Sequence, residues 1–150
     1  MSSFDRELKW HRRFVELAHA VASWSKDPST KVGCVIIGPR SEIRSTGYNG
    51  LPRGVSDSAD RMERPAKYLW TSHAEENAVA QAALIGVSLS GCTAYVTHQP
   101  CSRCARTLIQ AGIGVVIFDE AGATNMPSND ELVARQMFVE AGVECISVSL

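Results

Sequence analysis

Residues 92–118 read CTAYVTHQPCSRCARTLIQAGIGVVIF. Residues 92–98 have the make-up of a strand, residues 102–111 read as a helix closed by Gly112, and residues 114–118 are a short, very apolar strand. Strand, helix and strand in direct succession call for parallel strands joined by a right-handed crossover. On the C-terminal side the pattern repeats: residues 130–141 form a helix closed by Gly142, and residues 143–148 a last strand. On the N-terminal side, residues 74–85 form a helix rich in Ala, Glu and Gln and closed by Gly86. Residues 32–38 and 42–48 read as a hairpin turned at Gly38-Pro39-Arg40-Ser41, and residues 4–24 as an amphipathic helix that stops before Asp27-Pro28. The predicted order is α-β-β-α-β-α-β-α-β. The class is α/β, with helices on both faces of a mixed five-stranded sheet. Residues 49–67 are the least regular stretch, and a loop of that length in a compact domain suggests function.

Composition limits the partners. The 150 residues fit one domain, 1–150, and 45% hydrophobic against 21% charged residues excludes general disorder. Fifteen basic and 16 acidic residues give a net charge of −1, where a protein gripping long nucleic acid would be basic. No apolar run spans a membrane, and residues 1–10 lack the apolar core of a signal peptide, so a cytoplasmic site is expected. An odd cysteine count of five argues against a disulfide framework and makes Cys101 and Cys104 a metal or redox pair. Cys34, Cys92 and Cys145 fall in predicted strands and read as core, as Trp24 does on the first helix.

The chemistry lies in His73-Ala74-Glu75 and Pro100-Cys101-Ser102-Arg103-Cys104, each at a predicted helix start. Thiolates and neutral imidazole are preferred zinc ligands. Cysteines three apart share one helix face, and Pro100 suits a first helical position, where no amide partner is available. The helix N-terminus, with Arg103 and Arg106 nearby, favours thiolates. Three protein ligands leave a fourth position open, as at catalytic zinc. Glu75 sits two residues from His73, where its carboxyl is placed to take a proton from water at that position and pass it on. His98 reads as a rim residue, since a fourth protein ligand would displace the water. Together the pieces match the H-x-E and P-C-x-x-C signature of zinc base deaminases.

With residues 25–33 (SKDPSTKVG), 47–54 (GYNGLPRG), 73–78 (HAEENA), 100–104 (PCSRC) and 110–113 (QAGI), the chain resembles the deoxycytidylate deaminases of the zinc-dependent cytidine and deoxycytidylate deaminase superfamily. The resemblance runs over residues 24–148 and implies a three-layer α/β/α cytidine-deaminase-like fold. It also implies hydrolysis of dCMP to dUMP and ammonia, which supplies thymidylate synthesis. It implies Zn²⁺ on His73, Cys101 and Cys104, Glu75 as proton shuttle, the Ala74 amide on cytosine O2 and Asn49 on the sugar or base. Lys26, Lys31 and Arg53 are its candidates for the 5′-phosphate. A homohexamer and control by dCTP and dTTP are further family expectations.

Two departures flank His73: Leu69-Trp70 where Pro-Tyr is expected, and Glu76 where many relatives carry Leu or Val. Trp70 reads as a packing residue, with base stacking the alternative. Other substrates stay open, namely a free nucleoside, C5-substituted dCMP or adenosine in transfer RNA. The net charge speaks against transfer RNA and residues 47–54 against a free nucleoside. An inactive zinc module would instead show a closed four-ligand site.

Overall fold

The structure, a computed structural model, describes residues 2–124 and 126–150. Helix α1 (Ser3–Ala22) opens under a capping box in which Ser2 Oγ accepts from the Asp5 amide and an Asp5 carboxylate oxygen accepts from the Ser2 amide. The hairpin follows as β1 (Gly33–Ile37) and β2 (Ile43–Tyr48). A 3-10 turn (Ala59–Met62) and the short α2 (Lys67–Trp70) break the long irregular stretch. Then come α3 (Ala74–Ile85), β3 (Thr93–Val96), α4 (Ser102–Gln110), β4 (Val115–Asp119), α5 (Asn129–Ala141) and β5 (Glu144–Val148).

The five strands lie in the order β2-β1-β3-β4-β5. Strand β1 is antiparallel to both neighbours, whereas β3, β4 and β5 are parallel. β2 and β3 therefore point the same way on either side of β1. The helices that follow them, α3 and α4, begin at the same end of the sheet.

Side chains alternate across the strands and split the core in two. Val35, Ile37, Tyr95 and Ile117 face α1, where they meet Phe14, Val15, Ala18 and Val21. Cys34, Ile36, Ala94, Val96, Val116 and Phe118 face α3, α4 and α5. The predicted α/β/α layering holds, with one helix on the first face and three on the other. Cys34 and Cys92 are core as expected, and Cys145 is half-buried against it. Trp24 is not core. Helix α1 ends at Ala22, and Trp24 lies beyond it, 60% exposed and edge-on to Tyr48.

Helix α3 sits unusually close to β2. Ala74, Ala78 and Ala82 form a small-residue stripe with no exposed surface to speak of, and Ser45 Oγ donates to the Ala78 carbonyl at 2.6 Å. Gly47 permits this approach: a Cβ there would lie 2.3 Å from both the Ala74 oxygen and the Ala78 nitrogen. Gly47→Ala must push backbone against backbone, at a cost of about 2 kcal/mol or more. Gly114→Ala meets nothing within 4 Å and has no left-handed φ, so it should be nearly neutral. Urea unfolding of both variants checks this, and equal losses would contradict the close packing.

Candidate metal centre and substrate cavity

The chain leaves β2 at Tyr48 and returns to the same sheet end before α3. Gly50 and Ser72 exchange backbone hydrogen bonds of 3.1 and 2.9 Å, which fixes that return. His73 is the N-cap of α3, with extended backbone (φ −75°, ψ 159°) and an amide donating to Glu76 Oε1 at 2.9 Å. Cys101 is the N-cap of α4 in a similar conformation (φ −78°, ψ 173°). Pro100 consequently precedes the cap rather than opening the helix, and Ser102 takes the first helical position. The Asp130 carboxylate of α5 accepts from the Ser102 amide at 2.9 Å and from its hydroxyl, supplying the cap that Cys101 does not.

The two helix starts bring three ligand-type side chains together. His73 Nδ1 lies 3.3 Å from Cys104 Sγ and 3.4 Å from Cys101 Sγ. All three donor atoms fall within 4.8 Å of one another, and among the described residues no other such group of His, Cys, Asp or Glu occurs. In a zinc tetrahedron with bonds of about 2.3 Å to sulfur and 2.0–2.1 Å to nitrogen, a nitrogen–sulfur edge is about 3.6 Å. The donor set and its spacing fit zinc.

Without the metal, the cluster shares protons. A hydrogen bond from Cys104, opposed by burial and aided by His73, brings the Cys101 thiol down to about 4. The same shared proton, with burial, pushes Cys104 far up. Hydrogen bonding to Cys101 raises the His73 imidazole. A metal entering this site displaces protons.

A cavity of about 270 Å³ opens beside the cluster and is lined by His73, Ala74, Glu75 and Cys101. Glu75 is only 4% exposed, and burial pushes its carboxyl above the ordinary 4.5. His98 and Gln99 line the wall, and His98 stands outside the ligand cluster, as the rim reading expected.

Opposite them lies a buried ion pair. Lys67 Nζ donates to Asp27 Oδ2 and to Ser29 Oγ, both at 3.0 Å. Asp27 Oδ1 accepts from the Ser29 and Thr30 amides at 2.9 and 3.1 Å. Burial alone would raise the Asp27 carboxyl, but the two amides and Lys67 outweigh it and bring it down to about 2.

The sequence candidates divide. Asn49 reaches the cavity, but its amide is used by the protein: Oδ1 accepts from the Val32 amide at 2.8 Å and Nδ2 donates to the Thr30 carbonyl at 2.9 Å. Lys26 pairs with Asp57 in a neighbouring cavity. Arg53 turns toward Gln81 on another face, and exposed Lys31 is not among the residues lining the cavity. Arg64 and Lys67, neither of them singled out from the sequence, are the cations in the cavity wall. Both come from the irregular stretch, where no periodicity marks which side chains turn inward. Trp70 stacks under the Arg61 guanidinium, 4.0 Å from the ring centre.

The sequence pattern of the cytidine and deoxycytidylate deaminase zinc-binding region matches residues 8–120. The chain is 49% identical over 138 residues to an uncharacterized deaminase of Aliivibrio fischeri, covering 91% of each. It is 38% identical over 145 residues to the deoxycytidylate deaminase of Mus musculus, covering 93% of this chain and 79% of that one. The crystal structure of dCMP deaminase from the cyanophage S-TIM5 in complex with dCMP and dUMP superposes with a TM-score of 0.73, at 25% identity and 99% coverage of both chains.

Two outcomes follow from this geometry. Protein purified without chelators should contain close to one zinc per chain by elemental analysis, and Cys104→Ser should lose most of it. Full retention in that variant would contradict the ligand set. The second outcome concerns acid stability. The folded-state value of Asp27 lies below its ordinary 3.8, so its contribution is whole above that value and is lost as pH falls through about 2. The contribution is about 2 kcal/mol. The stability gap between wild type and Asp27→Asn in urea should narrow by that amount in acid, and a constant gap would contradict it.

Proposed function

We propose that this chain, which belongs to the cytidine and deoxycytidylate deaminase zinc-binding family, hydrolyses dCMP to dUMP and ammonia as one domain over residues 1–150. The carrying observation is the buried Glu75 carboxyl beside the His73, Cys101 and Cys104 cluster, in a cavity of about 270 Å³ with Arg64 and Lys67 in its wall. The relatives named as deoxycytidylate and dCMP deaminases support the choice of substrate.

His73, Cys101 and Cys104 would hold zinc, which when bound supplies the Lewis acidity that activates water at neutral pH. The remaining work falls to the chain. Ala74 opens α3, and its amide is one of those a helix start leaves without an intrahelical partner. Ala74 lines the cavity, and in this reading its N–H donates to cytosine O2. The Glu75 carboxylate takes a proton from the attacking water and delivers it to N3 as the water oxygen bonds to C4. It then takes the proton of the new C4 hydroxyl and passes it to the amino group, which leaves as ammonia as the C4 carbonyl forms. A carboxyl raised by burial suits both transfers, because it holds a proton more readily than a solvated one. Arg64 receives the 5′-phosphate at the mouth. Asn49 and the Asp27–Lys67 pair shape the sugar side by fixing residues 27–32 against residues 49 and 67. Lys26, Lys31 and Arg53 have no place in this assignment.

The reading extends to cytoplasmic work, which the five free cysteines support. Among the described residues no helix is long and apolar enough to cross a membrane. It extends also to a homohexamer and to control by dCTP and dTTP. Exposed Leu84, Ile85 and Val139 support a surface covered by another copy.

Ammonia release from dCMP and from deoxycytidine tests the assignment. Glu75→Gln keeps the shape but not the proton, so kcat should fall about 10²–10⁴-fold with zinc still bound. Arg64→Ala loses a charge-assisted contact and should lower kcat/KM for dCMP about tenfold or more, without effect on deoxycytidine. Near-normal kcat in Glu75→Gln would overturn the mechanism. Deoxycytidine turned over as well as dCMP would overturn the nucleotide substrate.

A further inference from the structure

We infer that Glu76 and Arg103 form a clamp that positions His73 against Cys101 and Cys104 and thereby sets how tightly the site holds zinc. Glu76 Oε1 accepts from the His73 amide at 2.9 Å and from Arg103 Nη2 at 2.6 Å. Its second oxygen accepts from Arg103 Nε at 2.9 Å. This is the two-pronged guanidinium–carboxylate geometry, which fixes direction as well as distance. Arg103 lies between the two cysteines in the first turn of α4. One carboxylate thus ties the backbone of the histidine to the helix that carries both thiols. The His73 ring adds its own hydrogen bonds to the two thiols.

The Glu76 side chain is 24% exposed and that of Arg103 45%, so the pair adds little to global stability. Its effect is local. With the clamp present, the donor atoms stand near a tetrahedral edge before any metal arrives. Without it, α3 and α4 still share the core through Ala78, Ala105 and Leu108, but the direction of His73 toward the thiols is left to the ligands and the metal. Groups that orient ligands in this way are worth about 10–100-fold in metal affinity. The clamp presupposes that His73, Cys101 and Cys104 are the ligands.

The test compares wild type, Arg103→Met, Arg103→Lys, Glu76→Leu and the Glu76→Leu/Arg103→Met double variant. Zinc dissociation constants come from competition with a chromophoric chelator. Cobalt(II) spectra report ligand geometry independently of turnover. Each of Arg103→Met and Glu76→Leu should weaken zinc about 10–100-fold, and the double variant no more than the weaker single one. Arg103→Lys keeps the charge but not the fork and should recover only part of the loss. The cobalt ligand-field bands should shift in Arg103→Met. Zinc held within about twofold of wild type, with unchanged cobalt bands, would overturn the clamp. Additive losses, or a lysine variant equal to wild type, would overturn it as a positioning device. If wild type binds no metal, or Cys104→Ser binds it unimpaired, the ligand assignment falls and takes the clamp with it.

Discussion

Everything at the active end of this molecule depends on β2 and β3 running in the same direction on either side of β1. That constraint starts α3 and α4 at one end of the sheet and brings His73 within 3.4 Å of two cysteines about thirty residues away in sequence. Had the hairpin opened the other way, the same motifs would lie at opposite ends and hold nothing. The close seating of α3 on β2 is the second half of the constraint. A glycine at position 47 and an alanine stripe on α3 bring backbone to backbone, so the histidine cap cannot drift from the sheet.

Much of this was legible in the sequence, for identifiable reasons. Strands and helices in the second half carry clean periodicity and glycine stops, and their ends fall within a residue or two of expectation. The cluster of His73, Cys101 and Cys104 was legible because the spacing of its parts is set by local geometry, a helix start and a single turn. Trp24 was misplaced because α1 stops two residues short of it, a boundary that tertiary contacts decide. Pro100 was misplaced by one step, because Asp130 on a distant helix supplies the cap. The candidate phosphate cations lie outside the cavity wall for a different reason. Lys26 and Arg53 find surface partners in Asp57 and Gln81, while Arg64 and Lys67 reach the cavity from a stretch with no repeating pattern. The Asp27–Lys67 pair and the Glu76–Arg103 clamp join residues 40 and 27 apart, and a single sequence gives no sign of such pairings.

The electrostatics of the site follow from one tension. Two thiols, an imidazole and a carboxyl lie together, with Glu75 and Cys104 buried and His73 and Cys101 half-buried, and crowding opposes charging all of them. Burial pushes Glu75 up, and the thiols share a proton in which Cys101 gives it up and Cys104 keeps it. A divalent cation relieves the tension by replacing protons at the ligands. Glu75 lies just outside the ligand cluster. The same crowding that makes the site costly to form raises this buried carboxyl, which suits the proton transfer proposed for it.

The central claim is that two sulfurs and one imidazole, with a fourth position free of protein, surround the metal. Zinc K-edge absorption spectroscopy on the zinc-loaded wild-type protein measures that shell directly. The account predicts two sulfurs at about 2.3 Å, one imidazole nitrogen at about 2.0–2.1 Å and one further light atom not belonging to a second imidazole. A shell of three or four sulfurs, or one with two imidazoles, would contradict it.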